Sequence, residues 1–338
     1  TTLFRSYFSI QNGSDKSHSE RGMPNVMTYE SFKRTFAPEA IWPQNVQWGQ
    51  HDYTMEGAQS CATFNEMITR GFGKPKNAKE FADLAQWISY DGYRGLFESR
   101  SLNRKGLLLW MTHPAWPSMV WQTYDYYFEP TAAYFGCKKA SEPLHIQWNP
   151  ITNKVEIVNY SVGNQTSLQA KAQILNMDGS VMWEKKVNVN SYEDSTTPCI
   201  DLQFPKEISV VHYVKLTLSG AYGLISDNFY LHSIDEGNYQ ALRKLPRISL
   251  KTDIQTIKNE GETWNGSVII KNNTETPALM IRINVLGATD GEQILPMFYS
   301  DNYFSLLPGE KKTVKLHWND RDTRGQKPRI VVSGYNVN

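Results

Sequence analysis

One carboxylate stands in a setting where it could do chemistry. Glu20 lies in the segment His18-Ser19-Glu20-Arg21-Gly22-Met23-Pro24, which is polar before the carboxylate and rich in turn-forming residues after it. A carboxylate held at the end of a structural element can act as a nucleophile or as a general base. Taken alone, a Glu beside an Arg in a loop is usually a solvated surface residue, so the pattern leaves both interpretations open.

Aromatic and polar side chains are mixed in three further segments. Residues 110–121 include three tryptophans and two prolines, and residues 48–53 and 124–127 interleave rings with hydrogen-bonding groups. Such mixtures suit the apolar faces and hydroxyls of sugars, but rings also fill cores and domain contacts. The candidate sugar-binding residues from these segments are Trp110, Trp116, Trp48, His51 and Asp125.

The bulk composition excludes several classes of protein. The 338 residues have a formal net charge of +1, with 40% apolar and 20% charged residues, which is typical of a globular protein without a nucleic-acid or membrane-surface partner. The three cysteines, Cys61, Cys137 and Cys199, are too few and too widely spaced to predict a disulfide framework or a metal site. No phosphate loop, G-x-S-x-G elbow or membrane-spanning apolar run occurs. We expect no cofactor, no metal, and neither nucleic acid nor membrane as a partner.

The first 140 residues contain a helix and a strand arranged as in an α/β unit. Asn77 can cap a helix, and Glu80 three residues later can complete a capping box. Apolar residues then recur at helical spacing, which predicts a helix that ends around Ser99–Leu102. The continuous apolar run Gly106–Met111 is typical of a strand buried on both faces. A helix followed by such a strand fits one step of a (β/α)₈ barrel, in which the carboxyl ends of the strands, here Trp110, form the active site.

The remainder of the chain is predicted to be β structure. Short apolar-rich runs alternate with turn sequences, as in antiparallel sandwiches, and we place one sandwich at 141–245 and a second at 246–338. The predicted strands are 145–148, 154–158, 168–174 and 210–218 in the first, and 267–270, 280–285 and 313–318 in the second. The motif Ser-Asp-Asn followed by two aromatic residues occurs at 226–230 and again at 300–304, as two related modules would produce.

The chain resembles a known enzyme family most strongly between residues 106 and 145. The matching motifs, in order, are Gly106-Leu107-Leu108-Leu109-Trp110, Trp116-Pro117, Tyr124-Asp125, Tyr134-Phe135-Gly136-Cys137-Lys138-Lys139-Ala140 and Glu142-Pro143-Leu144-His145. Their order and spacing resemble the branch of glycoside hydrolase family 2 that holds exo-β-D-glucosaminidases and plant-type mannosylglycoprotein endo-β-mannosidases. The segment 222–230 is similar to the first C-terminal sandwich of that family, so the resemblance extends over nearly the whole chain.

The resemblance implies a fold and a mechanism. The family has a (β/α)₈ barrel flanked by β-sandwich domains, so residues 1–140 are expected to be the C-terminal part of the barrel, with strands seven and eight, followed by two immunoglobulin-like sandwiches. Ser19-Glu20-Arg21-Gly22 matches the setting of the family's nucleophile at the end of strand seven. Trp110 matches the tryptophan that ends strand eight and forms the floor of the sugar site. The implied reaction is hydrolysis of a β-mannoside or β-glucosaminide by double displacement.

The chain departs from the family where the second carboxylate should be. The family's acid/base Glu precedes the nucleophile in an Asn-Glu motif, whereas the nineteen residues before Glu20 hold no Glu and one Asp, Asp15. We therefore expect about six of the eight barrel strands and the acid/base residue on a missing part or another chain, which would be a partner of this one beside the glycan substrate. Because loss of general acid catalysis typically costs about 10²–10⁴-fold, the isolated chain is expected to be essentially inactive. The alternative is a non-catalytic carbohydrate-binding or interaction fragment.

A barrel remnant also has consequences for folding. Two strands of a parallel barrel leave open edges and an uncovered apolar face. We expect residues 1–140 to be ordered only if another chain completes the barrel or if they pack on the sandwiches, whereas residues 142–338 should fold independently.

Overall fold

The computed structural model describes residues 18–55, 61–99 and 106–338. In these residues the α-helices lie before residue 141, and most of the chain after that residue is β-sheet. Asp15 and the part of the predicted helix end beyond Ser99 lie outside the described residues. No described helix is both long enough and apolar enough to cross a membrane.

The first region combines two short strands with several helices. The strands are β1, His18–Arg21, and β2, Leu107–Leu109. The α-helices are α1, Tyr29–Thr35; α2, Val46–Gln50; α3, Ala62–Phe72; α4, Ala78–Glu98; and α5, Ala132–Ala140; a 3₁₀ turn lies at Pro38–Ala40.

Helix α4 begins where its capping residue predicts. The side-chain oxygen of Asn77 accepts the backbone N–H of Glu80 at 2.9 Å, which satisfies one of the free donors of the first turn. The Glu80 carboxylate accepts the N–H of Lys76 at 2.7 Å, so the reciprocal bond reaches one residue further back than predicted. Helix α5 crosses α4 closely at Gly136. The absence of a side chain permits this crossing, because a Cβ atom there would overlap the carbonyl oxygen of Tyr90.

Strand β2 is shorter and more exposed than the sequence predicts. The predicted strand covered Gly106–Met111 and was buried on both faces, but β2 has three residues and Leu108 is 65% exposed. Among the described strands β2 pairs only with β1, in parallel, with Arg21 opposite Leu109. Because β2 has one neighbouring strand within residues 18–55, 61–99 and 106–338, and Leu108 is exposed there, the prediction of burial on both faces is wrong for the described part of the chain.

Residues 144–233 form two sheets that enclose an apolar core, and we call them the middle sheet pair. The strand orders are β3-β4-β7 and β6-β5-β8-β9. The strands are β3, Leu144–Asn149; β4, Lys154–Asn159; β5, Gln165–Asn176; β6, Val181–Ser191; β7, Ser195–Asp201; β8, Val211–Gly220; and β9, Gly223–Ser233. Ile146, Ile157 and Leu216 are fully buried in the shared core. The four strands predicted from short apolar-rich runs are all present in this pair.

Residues 251–333 form the C-terminal sheet pair, with strand orders β10-β11-β15-β13 and β14-β12-β16. The strands are β10, Lys251–Glu260; β11, Thr263–Lys271; β12, Ala278–Gly287; β13, Phe298–Tyr299; β14, Phe304–Leu306; β15, Lys311–Asn319; and β16, Pro328–Ser333; 3₁₀ turns lie at Gln240–Lys244 and Asp320–Thr323. The three strands predicted in this part of the chain are present as β11, β12 and β15.

The C-terminal sheet pair shares its apolar core with the helices of the first region. The ring centroids of Phe135 and Tyr303 are 5.8 Å apart, and those of Trp87 and Tyr335 are 5.2 Å apart. The first region is therefore covered by sheet, which is one of the two conditions expected for its order. The shared core also means that residues 142–338 do not form a body separate from the helices.

A buried polar cluster attaches the end of α4 to the middle sheet pair. The Glu98 carboxylate accepts hydrogen bonds from Asn228 Nδ2 at 2.7 Å and from the Tyr230 hydroxyl at 3.0 Å, and it lies 3.0 Å from His145 Nε2. Burial lowers the pKa of His145, but its hydrogen bonds with Glu142 and Glu98 outweigh that effect and hold the pKa above its ordinary value. The two ring nitrogens of His145 therefore contact both carboxylates at 3.0 Å and join the described end of α4 to β3.

Candidate active site

Glu20 and Trp110 lie at the same end of the two-stranded sheet. The strands run parallel, Glu20 is the penultimate residue of β1, and Trp110 directly follows β2. The backbone N–H of Trp110 donates to the carbonyl oxygen of Arg21, the last residue of β1, at 2.9 Å, which continues the strand pairing one residue beyond β2. Both side chains are exposed, Trp110 to 47%. A carboxylate and an indole ring thus share one accessible edge.

Gly22 permits the close approach of the backbones beyond the strands. A Cβ atom at this position would overlap the carbonyl oxygen of Trp110 and press on the side chain of Trp121. Any larger residue would therefore separate the segment after β1 from the segment after β2. This is a local reason for the Glu-x-Gly spacing that the sequence shows.

The segment 110–128, which we call the aromatic loop, is held against the segment after β1 by backbone and side-chain hydrogen bonds. The Trp121 N–H donates to the Met23 carbonyl at 3.3 Å. The side chain of Asn25 bonds both to the carbonyl and to the N–H of Gln122, the latter at 3.2 Å. Within the loop, the N–H groups of Thr123 and Tyr124 donate to the Thr112 carbonyl at 3.1 and 2.8 Å. The loop is a built structure that keeps its rings near the Glu20 edge.

Two of the predicted sugar-binding residues, His51 and Trp116, are in contact with each other. Their rings are stacked, with centroids 5.7 Å apart and an interplanar angle of 25°. His51 Nδ1 is hydrogen-bonded to the Pro117 carbonyl, and the His51 carbonyl accepts the N–H of Met119 at 2.8 Å. Trp116 is exposed while His51 is half-buried. His51 therefore anchors the loop, and Trp116 presents its outer face to solvent.

The structure corrects the prediction for Trp48. This ring is 1% exposed, and its Nε1 donates to the Ala40 carbonyl at 3.2 Å. Four rings pack around Trp48, with centroids 5.1 to 5.8 Å from that of the indole: Phe32, Phe36, Tyr53 and Phe81. We call these five residues the buried aromatic cluster. Additional protein around the first region could only bury it further, so Trp48 is a core residue and not a sugar contact.

Asp125 is also internal. It is 1% exposed and accepts the Ser31 hydroxyl and the backbone N–H groups of Tyr127 and Glu129, the latter two at 2.9 and 3.0 Å. Burial, together with the nearby Glu129 carboxylate, raises the pKa of Asp125 to about 7. Its three hydrogen bonds go to its own turn and to α1, and at 1% exposure it does not present a carboxylate to substrate as the sequence predicted.

The residues that position this edge are not among those predicted from the sequence. Asn25 and Gln122 are both buried and join the two segments that follow the strands. A signal was present for Asn25, a polar residue enclosed by Met23, Pro24, Val26 and Met27 just after the candidate carboxylate. Among the described residues, no three His, Cys, Asp or Glu side chains come together as metal ligands would.

Comparisons with known proteins identify similar sequences. Residues 228–337 match the sequence model of the exo-β-D-glucosaminidase Ig-fold domain. An exo-β-D-glucosaminidase from Amycolatopsis orientalis is 24% identical over 96% of this chain, and a mannosylglycoprotein endo-β-mannosidase from Lilium longiflorum is 25% identical over 78% of it. The chain spans 36% and 34% of the length of these relatives.

Solved structures show the same fold. The crystal structure of the Amycolatopsis orientalis exo-chitosanase CsxA superposes with a TM-score of 0.85 at 23% identity, over 93% of this chain and 41% of that one. A β-D-mannosidase from Dictyoglomus thermophilum superposes with a TM-score of 0.76 at 17% identity, over 99% of this chain and 39% of that one. The likeness establishes a mostly β architecture with a few helices and an immunoglobulin-like domain.

Proposed function

We propose that this chain, which is similar over most of its length to exo-β-D-glucosaminidases and to a mannosylglycoprotein endo-β-mannosidase, is the C-terminal part of a retaining β-glycosidase of glycoside hydrolase family 2. In this proposal residues 1–140 supply strands seven and eight of a (β/α)₈ barrel. Residues 141–245 and 246–338 are two immunoglobulin-like sandwiches. The substrate is a β-mannoside or a β-glucosaminide.

One observation carries the proposal: an exposed carboxylate and an exposed indole stand at the same end of two parallel strands. Active sites of (β/α)₈ barrels lie at the carboxyl ends of the strands. Glu20 occupies that position on β1 and Trp110 occupies it on β2. Both remain accessible, whereas the nearby Asp125 is sealed into its turn.

The proposed mechanism is double displacement. Ionised Glu20 attacks the anomeric carbon and forms a covalent glycosyl-enzyme, while the ring of Trp110 supports the apolar face of the sugar. A second carboxylic acid about 5–5.5 Å away protonates the leaving oxygen and then activates water. That second group belongs to the N-terminal part of the enzyme in our proposal, so the chain needs this partner for turnover.

A trapping experiment tests the role of Glu20. The enzyme completed by its N-terminal part is treated with a 2-deoxy-2-fluoro-β-mannoside or -glucoside that carries a dinitrophenyl leaving group, because the fluorine slows hydrolysis of the glycosyl-enzyme. Peptide mass spectrometry should find the sugar on Glu20. Glu20→Gln should lower kcat by about 10⁴-fold or more, as removal of a nucleophile does in other enzymes.

Glu66→Gln provides the matched control, because Glu66 is an exposed Glu on α3 and should leave both trapping and kcat unchanged. Label on another carboxylate, or full activity of Glu20→Gln, would overturn the proposal and favour a non-catalytic carbohydrate-binding role. Turnover by the chain without its N-terminal part would contradict the proposed division of the catalytic pair.

A further inference from the structure

We propose that a cleft between the aromatic loop and the C-terminal sheet pair binds a neutral sugar unit of the substrate, outside the site at Glu20. The cleft has a volume of about 540 Å³. His113, Tyr126 and Phe128 line one side, and Gln293, Leu295 and Arg324 line the other. The volume falls in the range of about 300–1,000 Å³ that small-ligand sites occupy. The choice of a sugar as ligand rests on the proposed function.

Phe128 provides a ring on which a sugar can stack. It is 55% exposed, and its inner face is stacked on His113 with ring centroids 4.6 Å apart and planes 17° apart. The imidazole therefore supports one face of the ring and leaves the other to solvent. Tyr126, which is also exposed, lies in the same wall.

The backbone at Phe128 is held in an uncommon conformation. Its φ angle is +65°, in the left-handed region that bulky side chains rarely adopt. The Phe128 N–H donates to the Asp125 carbonyl at 3.1 Å, and the buried Asp125 side chain accepts two further N–H groups of the same turn. Strained residues of this kind are concentrated at ligand sites. Here the hydrogen bonds of the turn around Asp125 hold the Phe128 side chain in the cleft.

Two buried polar atoms in the walls have no partner among the described residues. Gln293 is 2% exposed, and its Oε1 accepts no hydrogen bond, while its Nε2 makes a long contact of 3.4 Å to Asn284 Oδ1. His113 Nε2, on the opposite wall, is likewise buried and unpaired. A buried polar atom without a hydrogen bond is unfavourable, and a side-chain rotation that opens Gln293 Oε1 or His113 Nε2 to the cleft would let a sugar hydroxyl bond to it.

The charges near the cleft favour a neutral ligand. Arg34 is paired with Glu292 at 2.8 Å, and Arg324 faces Asp290 at 3.5 Å. Arg324 also donates to the backbone carbonyl of Gln293 at 3.3 Å, which orients the segment that bears the unpaired amide. Because both cations already have carboxylate neighbours, a neutral hexose suits the cleft better than an anionic group.

The first test measures binding to the whole chain with β-1,4-mannotetraose as the neutral probe and the β-1,4-linked glucosamine tetramer as the cationic one. Isothermal titration calorimetry should show binding of mannotetraose, and Phe128→Ala should weaken it about tenfold. Phe298→Ala is the matched control, because Phe298 is equally exposed at 55% and also lies against a histidine, His317, at 5.7 Å. The control should leave the Kd unchanged. The glucosamine tetramer should bind more weakly than mannotetraose.

The second test separates binding from folding. Gln293→Leu removes the unpaired acceptor while preserving the size of the side chain, so it should weaken mannotetraose binding about tenfold without lowering the melting temperature. The proposal is overturned if the unsubstituted chain does not bind mannotetraose, if both variants bind like it, if Phe298→Ala has the effect assigned to Phe128→Ala, or if the glucosamine tetramer binds as tightly. No turnover is measured, so failure here leaves the trapping test of Glu20 independent.

Discussion

The buried aromatic cluster and the aromatic loop are built from similar residues and have opposite relations to solvent. Trp48 is surrounded by four rings and by a hydrogen bond to a backbone carbonyl, and it is 1% exposed. Trp110 follows the end of a strand and is 47% exposed. The contrast shows that aromatic content alone does not locate a sugar site. An exposed ring is distinguished from a core ring by whether another part of the protein packs against the outer side of the helix, strand or loop that carries it.

The largest expected effect tests the internal side of this comparison. Trp48→Ala should lower the free energy of unfolding by about 3–5 kcal/mol, because it removes the centre of a closely packed ring cluster. Chemical denaturation of the variant and the unsubstituted chain measures the difference. A loss below about 1 kcal/mol would show that the cluster is not the core that its burial indicates.

Asp125, the buried carboxylate just beyond the exposed tryptophans of the aromatic loop, should make stability depend on pH. Its pKa of about 7 in the folded chain lies above the ordinary value of 3.8, so the folded state binds the proton more tightly than the unfolded state does. The contribution of Asp125 to stability is therefore greatest at low pH and declines as the pH rises from about 4 to about 7.

Asp125→Asn removes this titration and keeps an oxygen that can accept the N–H groups of the turn. The unfolding free energy of the unsubstituted chain, relative to that of the variant, should fall by about 2 kcal/mol between pH 5 and pH 7. Parallel curves for the two proteins would contradict the assignment. Glu20→Gln serves as a comparison, because it removes a carboxylate that is exposed rather than buried.

Trp110→Ala tests the solvent side. The completed enzyme should lose roughly tenfold in kcat/KM, because one stacking contact contributes about 0.5–1.5 kcal/mol. Its free energy of unfolding should change by less than about 0.5 kcal/mol, since the ring has little protein around it. A variant that is as unstable as Trp48→Ala would place Trp110 in the core instead.

The smallest effect is expected for Trp116→Ala. The ring contacts His51 on one face and solvent on the other, so its removal should cost about 0.5 kcal/mol of stability. Denaturation monitored beside Trp48→Ala would rank the two. If the losses were equal, the aromatic loop would be a continuation of the buried aromatic cluster, and the comparison would fail.

The sequence predicts the elements of this chain better than their surroundings. The Asn77 cap and the β-strands follow from local patterns, because a capping residue and a short apolar-rich run between turns are properties of neighbouring residues. The burial of Trp48 and Asp125 depends on α1 and α4 reaching them from elsewhere in the chain, which no local pattern encodes. The sequence predicts more burial of β2 than the structure shows, because an apolar strand does not reveal how many neighbouring strands it has. Exposure of Glu20 and Trp110 likewise required the structure.

The contact at Gly22 has a consequence for anyone who wishes to redesign the protein. The separation between the edge that carries Glu20 and the ring of Trp110 is fixed by the backbone contact between Gly22 and the Trp110 carbonyl. Substitution of side chains therefore cannot change this separation in small steps. A combinatorial library aimed at new substrates is better served by leaving residues 20–22 and 110 constant. Its diversity belongs in the outward-facing positions of the aromatic loop, where a change of side chain alters what is recognised without moving the frame.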